Sequence, residues 1–303
     1  MISAGVIGWP VAHSKSPLIH RFWLAKLGID GDYGRFAVAP DDLGEAIRAL
    51  PKLGMRGVNV TVPHKVAVMS YLDGVDPLAI KVGAVNTVVV EHDLLIGYNS
   101  DVEGFREPLL PVLAERKLPP NHVDDLYDLI GTGGAARAVA VALSGYEVTI
   151  LGRDEAKAAA LADELGLGAR YGLGLGARYG FIGSIAALDA PTQEFDPAYP
   201  DVKLNLGADQ RYSYILINAT TLGMTGQPAL AINLDNFPDD TIVYDLVYAP
   251  LVTPLLAAAH ARGMRTIDGL AMLIGQAAAA FERFFGHPAP REHDAELRVL
   301  LTA

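Results

Sequence analysis

Cysteine is absent from this chain of 303 residues, which excludes disulfides and thiolate metal sites. Positive charge is scarce: 24 Lys and Arg stand against 35 Asp and Glu, a formal net charge of −11. Nucleic acids and anionic membranes are polyanions, so neither is expected as a partner. No uninterrupted apolar run approaches the ~18 residues of a membrane span. Met1-Ile2-Ser3-Ala4-Gly5 carries no basic segment ahead of an apolar stretch, so no signal peptide is expected. These absences lead to the expectation of a soluble cytoplasmic protein.

What remains is 51% apolar residues, enough for a sizeable core, and a length that suggests about two domains. Residues 1–101 alternate strand-like and helix-like text. Gly5 to Trp9 reads as a strand. Ser16-Pro17 reads as a helix start, with Ser16 as the capping hydroxyl and proline next to it. That helix carries Leu18, Phe22, Leu24, Ala25 and Leu27 and stops at Gly28. Tyr33–Ala39 and Gly57–Val62 read as strands and Asp41–Leu53 as a helix. Ala84–Val90 and Asp93–Tyr98 read as a closing hairpin. Such alternation implies a mostly parallel sheet covered by helices.

Further on, a helix is expected over Glu103–Lys117, then a break at Pro119-Pro120 and a strand running into Gly131. A helix over Ala135–Ser144 and strands at Glu147–Leu151, Ile215–Asn218 and Ile242–Leu246 follow. Thr253-Pro254 caps a helix to Arg262, and Leu270–Phe285 is a long alanine-rich helix. One stretch is irregular. The octapeptide 165–172 is repeated residue for residue at 173–180. Its period is far below the roughly 20–50 residues of solenoid repeats, so a local tandem duplication is the simplest reading. With the polar stretch 190–211 it is expected to form loops.

Gly131, Gly133, Gly134 and Ala135 lie between an apolar strand end and an alanine-rich helix. Glycines there permit a tight turn and let backbone N–H groups approach a pyrophosphate. About twenty residues later comes Gly152-Arg153-Asp154. An arginine at that place pairs with a ribose 2′-phosphate and an aspartate with the 2′-hydroxyl. Arg153 and Lys157 favour NADP, while Asp154 leaves NAD possible. Oxidising a secondary alcohol also needs a group to take the hydroxyl proton. Lys65, just after a strand, and Asp101, just after the hairpin, are candidates, because a carboxylate beside an ammonium fixes its position. Ser14 and Ser16 could bind a carboxylate. Asn59, Thr61 and Asn86 could bind hydroxyls. His13 and His64 read as structural as readily as functional.

Together these segments resemble the shikimate/quinate dehydrogenase family. The matching text is Gly8–Pro17 with its Ser-Lys-Ser-Pro core, Asn59–Lys65, Gly83–Thr87, Tyr98–Asp101 with Gly104-Phe105, and Gly131–Arg137. It continues with Asn218–Met224, Asp245–Tyr248 with Pro250, Thr253–Leu256, and Gly269–Gln276. The order is the family's from end to end. The resemblance implies an α/β fold of two domains. One is an N-terminal mostly parallel substrate domain over 1–102. The other is a Rossmann-like nucleotide domain over 103–268, with C-terminal helices at 269–303 returning to the first. It implies NADPH-dependent reduction of 3-dehydroshikimate to shikimate, in the pathway to chorismate and the aromatic amino acids, with no metal.

By motif, Ser14 and Ser16 would hold the carboxylate, and Asn59, Thr61, Asn86, Asp101 and Gln276 the ring hydroxyls. Lys65 and Asp101 would be the catalytic pair. Thr220 and Met224 would lie along the cofactor, Leu246, Gly269 and Met272 would flank the nicotinamide, and Tyr248 the substrate. Three departures fall in the nucleotide domain: the acidic strand Asp124–Ile130, Asp154 in place of a small hydroxyl residue, and the duplicated octapeptide. Asp128 in a buried parallel strand needs a partner or a raised pKa. Two other readings stand beside the first: an NAD-dependent quinate/shikimate dehydrogenase, and a non-catalytic shikimate-binding or regulatory relative. The expected assembly is a monomer or homodimer.

Overall fold

The computed structural model describes residues 1–118, 122, 124–167, 183–184 and 212–303. The expected Pro119-Pro120 break, nearly all of the duplicated octapeptide and the 190–211 stretch lie outside them. The chain divides into two units, Met1–Pro108 with Ala271–Ala303, and Leu109–Leu270.

In the first unit, β1 (Ile2–Gly8), α1 (Ser16–Leu27), β2 (Gly31–Ala37), α2 (Leu43–Ala49) and β3 (Met55–Val60) form the alternating part. A short strand β4 (Gly74–Val75), helix α3 (Pro77–Val82) and the hairpin β5 (Thr87–Glu91) and β6 (Leu94–Tyr98) follow. The hairpin turn is His92-Asp93, both with positive φ (51° and 67°), as a two-residue type I′ connection requires. The sheet order is β2-β1-β3-β5-β6-β4. β1 runs parallel to β2 and β3, whereas β5 is antiparallel to β3 and β6. The carboxyl ends of β1, β3 and β6 and the amino end of β5 therefore meet at one edge. One core cluster of this unit gathers Ile7, Leu43, Ile47, Leu50, Val58, Val60, Val68, Val85 and Val88.

The start of α1 differs from expectation. Lys15, not Ser16, occupies the capping position, with no side-chain cap bond; Ser16 is the first helical residue. The buried face also differs, carrying Ile19, His20, Trp23 and Leu24, while Leu18 and Leu27 are exposed. The helix is apolar on more than one side, so spacing alone does not choose the face. His20 is buried among aromatic rings that include Tyr33, Trp23 and Phe281.

The second unit contains β7 (Asp124–Ile130), α5 (Gly134–Ala142), β8 (Glu147–Gly152), α6 (Glu155–Glu164), β9 (Gly183–Ser184), β10 (Tyr212–Asn218), β11 (Ile242–Asp245), α7 (Pro254–Ala261) and β12 (Arg265–Ile267). Helix α4 (Asp101–Ala114) leads out of the first unit and α8 (Gly269–Phe285) leads back; α9 (Asp294–Thr302) ends the chain. All strands of the second sheet are parallel, in the order β9-β8-β7-β10-β11-β12. That is the doubly wound order, whose topological switch lies between β7 and β10, where ligands bind outside the strand ends. The strand at 265–267 has no counterpart among the elements expected from the sequence, and the helix at 294–302 falls among the C-terminal helices implied over 269–303. The acidic stretch 124–130 does form the central strand. Asp125 is held there by Arg116 through two bonds of 2.8 and 2.7 Å.

Candidate active site

The edge where β1, β3 and β6 end carries the substrate-side candidates. Ser14 and Ser16 follow β1 and are both buried. The Ser14 hydroxyl donates to Ser16 Oγ at 3.2 Å, and the Ser16 backbone N–H donates to Ser14 Oγ at 3.3 Å. Arg35 on β2 donates twice to the Ser14 carbonyl, at 2.8 and 2.6 Å, and so fixes the backbone of this loop. The Lys15 ammonium turns away and bonds the Leu301 carbonyl. His13 is exposed. His64 is buried, with Nε2 2.8 Å from the Val38 carbonyl, a structural contact.

Lys65 follows β3 through Pro63-His64. Its Nζ lies 2.6 Å from Asp101 Oδ2, with side-chain exposures of 15% and 6%, so the pair is largely shielded from solvent. Asp101 is the first residue of α4, where the helix dipole favours an anion. Its backbone N–H donates to Asn99 Oδ1 at 3.0 Å, and its Oδ1 accepts from Asn86 Nδ2 at 2.8 Å. Asn86 also donates to Ser100 Oγ and accepts from the Ser100 backbone N–H. Asn59 and Thr87 face each other across β3 and β5, and Asn59 Nδ2 donates to Thr87 Oγ1 at 3.0 Å. Thr61 lies just past β3, with its backbone N–H on the Ile7 carbonyl.

Gln276, on α8, reaches the same cluster: its Oε1 accepts from Ser100 Oγ at 3.5 Å. Gly104 makes this approach possible. A Cβ there would lie 2.6 Å from the Gln276 backbone nitrogen, so any side chain would push α8 away from α4. Of the candidates, Asn59, Lys65, Asn86, Asp101 and Gln276 thus fall in one connected network. Sequence reasoning assigns no role to Tyr33, Arg35 or Thr87. Alternation along β2 puts Tyr33 and Arg35 on one face, and that is the available signal.

In the second unit, Gly131 has φ 128°, a conformation closed to side chains, and donates its N–H to the Leu151 carbonyl. A Cβ on it would also crowd the Ala219 carbonyl at 3.0 Å, so the turn after β7 lies beside the loop after β10. Gly133 caps α5 with no side-chain bond, and a Cβ there would meet nothing within 4 Å. The first-turn N–H groups, running from Gly134 and Ala135, are therefore open to a phosphate.

Arg153 is exposed, and its guanidinium has no side-chain partner among the described residues. Asp154 does something else. It caps α6, accepting from the Lys157 backbone N–H at 3.1 Å, and lies 3.4 Å from Lys157 Nζ. The Lys157 backbone bond holds the Asp154 carboxyl below its usual range. Lys157 is thus partly engaged, whereas Arg153 is free. An exposed arginine beside an open glycine turn fits a dinucleotide carrying a 2′-phosphate.

Thr220, Met224 and Leu246 sit on the loops after β10 and β11. Asn218 and Asp245 join these loops at 2.9 Å, and Thr253 donates to Asp245 at 2.6 Å. Burial raises the Asp245 pKa, against the hydrogen bonds that lower it. Thr220 donates to Asn218 at 2.7 Å, and the Leu246 N–H donates to the Asn218 carbonyl at 2.9 Å. Gly269, at the start of α8, is packed against the Leu246 carbonyl. Met272 lies three residues on, on the same side of α8. Tyr248 is half-buried in the loop after β11.

The family model for the shikimate dehydrogenase substrate binding domain matches residues 6–88, and that for the shikimate 5′-dehydrogenase C-terminal domain matches 269–296. The chain is 48% identical to a shikimate dehydrogenase (NADP(+)) of Sphingopyxis alaskensis, covering 99% of this chain and 97% of the relative. Among solved structures it resembles the shikimate 5-dehydrogenase of Thermus thermophilus in complex with NADP(H) and shikimate. There the TM-score is 0.76 at 31% identity, covering 99% of this chain and 100% of that one. The quinate dehydrogenase of Corynebacterium glutamicum in complex with NAD gives a TM-score of 0.77 at 30% identity, with 99% of each chain covered. The chain belongs to the shikimate dehydrogenase family.

Proposed function

We propose that this protein is an NADP-dependent shikimate dehydrogenase, interconverting 3-dehydroshikimate and shikimate. The observation that carries the proposal is the shielded Lys65–Asp101 pair at 2.6 Å, built into a network of amides and hydroxyls suited to a polyhydroxylated acid. The first unit holds the substrate and the second the dinucleotide. Ser14 and Ser16 bind the carboxylate. Thr61, Asn86, Asp101, Gln276 and Tyr248 contact the ring; Asn59, expected there too, spends both ends of its amide on Tyr33, Thr87 and the Asn86 carbonyl and so braces Asn86.

In reduction the ketone oxygen gains a proton. Lys65 donates it, and in the reverse direction takes it from the hydroxyl. Asp101 keeps Nζ in place and offsets its charge. Leu246, Gly269 and Met272 would flank the nicotinamide, whose chemistry would be to give or take the hydride at the ring carbon. Gly131, Gly133, Gly134 and Ala135 hold the pyrophosphate. Arg153, with Lys157, holds the 2′-phosphate, and Thr220 and Met224 lie along the dinucleotide. The enzyme acts in the cytoplasm as a monomer or homodimer.

A second reading, NAD-dependent oxidation of quinate or shikimate, draws on Asp154 and on the likeness to the quinate dehydrogenase. Against it, the Asp154 carboxylate is committed to capping α6. A non-catalytic role has no use for a shielded Lys65–Asp101 pair. Purified protein mixed with shikimate or quinate, and with NADP⁺ or NAD⁺, separates these readings through absorbance of the reduced nicotinamide. The proposal expects shikimate with NADP⁺ to be turned over fastest. Turnover confined to NAD⁺ would establish the second reading, and none in a folded, shikimate-binding protein the third.

A further inference from the structure

Tyr33 is fully buried on β2 and takes no part in the chemistry described above. Its ring stacks on His20, with centroids 4.0 Å apart and planes 1° from parallel. Neither His20 ring nitrogen has a hydrogen-bond partner among the described residues, and burial lowers the His20 pKa to about 3. His20 is therefore a neutral flat support for the tyrosine ring.

The Tyr33 hydroxyl donates to Asn59 Oδ1 at 2.6 Å. That bond and the one from Asn59 Nδ2 to the Asn86 carbonyl, at 3.2 Å, together fix which way the Asn59 amide faces, with Nδ2 toward Thr87. From there a directional line runs inward. Asn59 Nδ2 donates to Thr87 Oγ1 at 3.0 Å, and Thr87 Oγ1 donates to Asn86 Oδ1 at 2.9 Å. Asn86 Nδ2 donates to Asp101 Oδ1 at 2.8 Å, and Asp101 Oδ2 accepts from Lys65 at 2.6 Å. Every member is buried except Lys65, which is mostly so.

We infer that Tyr33 is a positioning residue: its hydroxyl pins the outer end of the line Asn59–Thr87–Asn86 and so steadies the Asp101 carboxylate that holds Lys65. This rests on the catalytic reading of Lys65 and Asp101 given above. Without the hydroxyl, Asn59 Oδ1 is left buried with no donor from Tyr33, and the amide is then held only at its nitrogen, by Thr87 and the Asn86 carbonyl. A loosened Asn59 holds Thr87 Oγ1 less firmly, and Thr87 is one of three donors, with the Ser100 backbone N–H and hydroxyl, that orient the Asn86 amide toward Asp101. Buried amides act strongly on one another in this way because no water competes.

The test is steady-state kinetics of Tyr33→Phe, which removes one oxygen and keeps the ring on His20. The expected result is kcat for shikimate oxidation about tenfold lower, the scale of one well-placed hydrogen bond, with KM for NADP⁺ unchanged. A merely structural Tyr33 would shift the melting temperature and leave kcat per folded enzyme alone. The Thr87→Val variant cuts the line further in. In that background Tyr33→Phe should cost nothing more, whereas additive losses would overturn the inference. Thr87→Ser, which keeps the hydroxyl, should retain wild-type kcat. Normal kcat in Tyr33→Phe, beside a wild-type enzyme that oxidises shikimate, refutes the inference alone. A wild-type enzyme inert toward shikimate removes the functional reading and this inference with it.

Discussion

Asp128→Asn probes a buried carboxyl in the central strand that has no side-chain partner among the described residues. Asp128 lies on β7 on the same side as Leu126 and Ile130, with Leu216 of β10 and Thr149 of β8 beside it in register. It is 9% exposed, and burial raises its pKa from the ordinary 3.8 to about 7. The folded protein thus holds a proton that the unfolded chain has already lost between these two values. Stability is therefore greatest below about pH 4, falls as pH rises towards about 7, and levels off above it. A gap of about three pH units at ~1.4 kcal/mol each gives an upper figure of roughly 4 kcal/mol. Asparagine has nearly the same shape and cannot ionise. The variant should match the wild type at pH 4 and exceed it at pH 8 by an amount of that order. Urea unfolding of both proteins at pH 4, 6 and 8 measures the difference, and subtraction cancels the other titrating groups. A stability difference independent of pH would refute the reasoning.

Two further outcomes are expected. Asp154→Ser removes a negative charge near the expected 2′-phosphate site while keeping a helix-capping hydroxyl, so kcat/KM should shift several-fold towards NADP⁺ over NAD⁺ with little change in melting temperature. An unaltered ratio would show that Asp154 has no bearing on the cofactor. Gly104→Ala places a methyl 2.6 Å from the Gln276 backbone and should destabilise by roughly 1–3 kcal/mol and raise KM for shikimate. Unchanged melting and KM would mean that α8 moves at no cost.

Residues that recur in short motifs are legible from sequence, because loops after strands carry their chemistry in adjacent positions. Ser14, Lys65 and Asp101 are of this kind, and so is the glycine turn at 131–134. What the sequence hides depends on packing. The Ser16 hydroxyl, which reads as a helix cap, is turned to Ser14 instead. His20 reads as polar and is one of the most deeply buried side chains, since a neutral imidazole stacks like an apolar ring. Asp154 reads as a cofactor ligand, yet the start of α6 claims its carboxylate. Tyr33 is invisible because its partners lie on β3 and α1, and only the sheet register brings them together. The strand at 265–267 is three residues long, too short for a periodic pattern to register.

The proposed function rests above all on Lys65, held by Asp101, as the group proposed to move the proton in shikimate oxidation. The sharpest check is kcat for Lys65→Ala with shikimate and NADP⁺, with folding verified by circular dichroism. A proton-transferring Lys65 requires kcat to fall by about 10²–10⁴-fold in a folded protein that still binds shikimate. Turnover near that of the wild type would remove Lys65 from the chemistry.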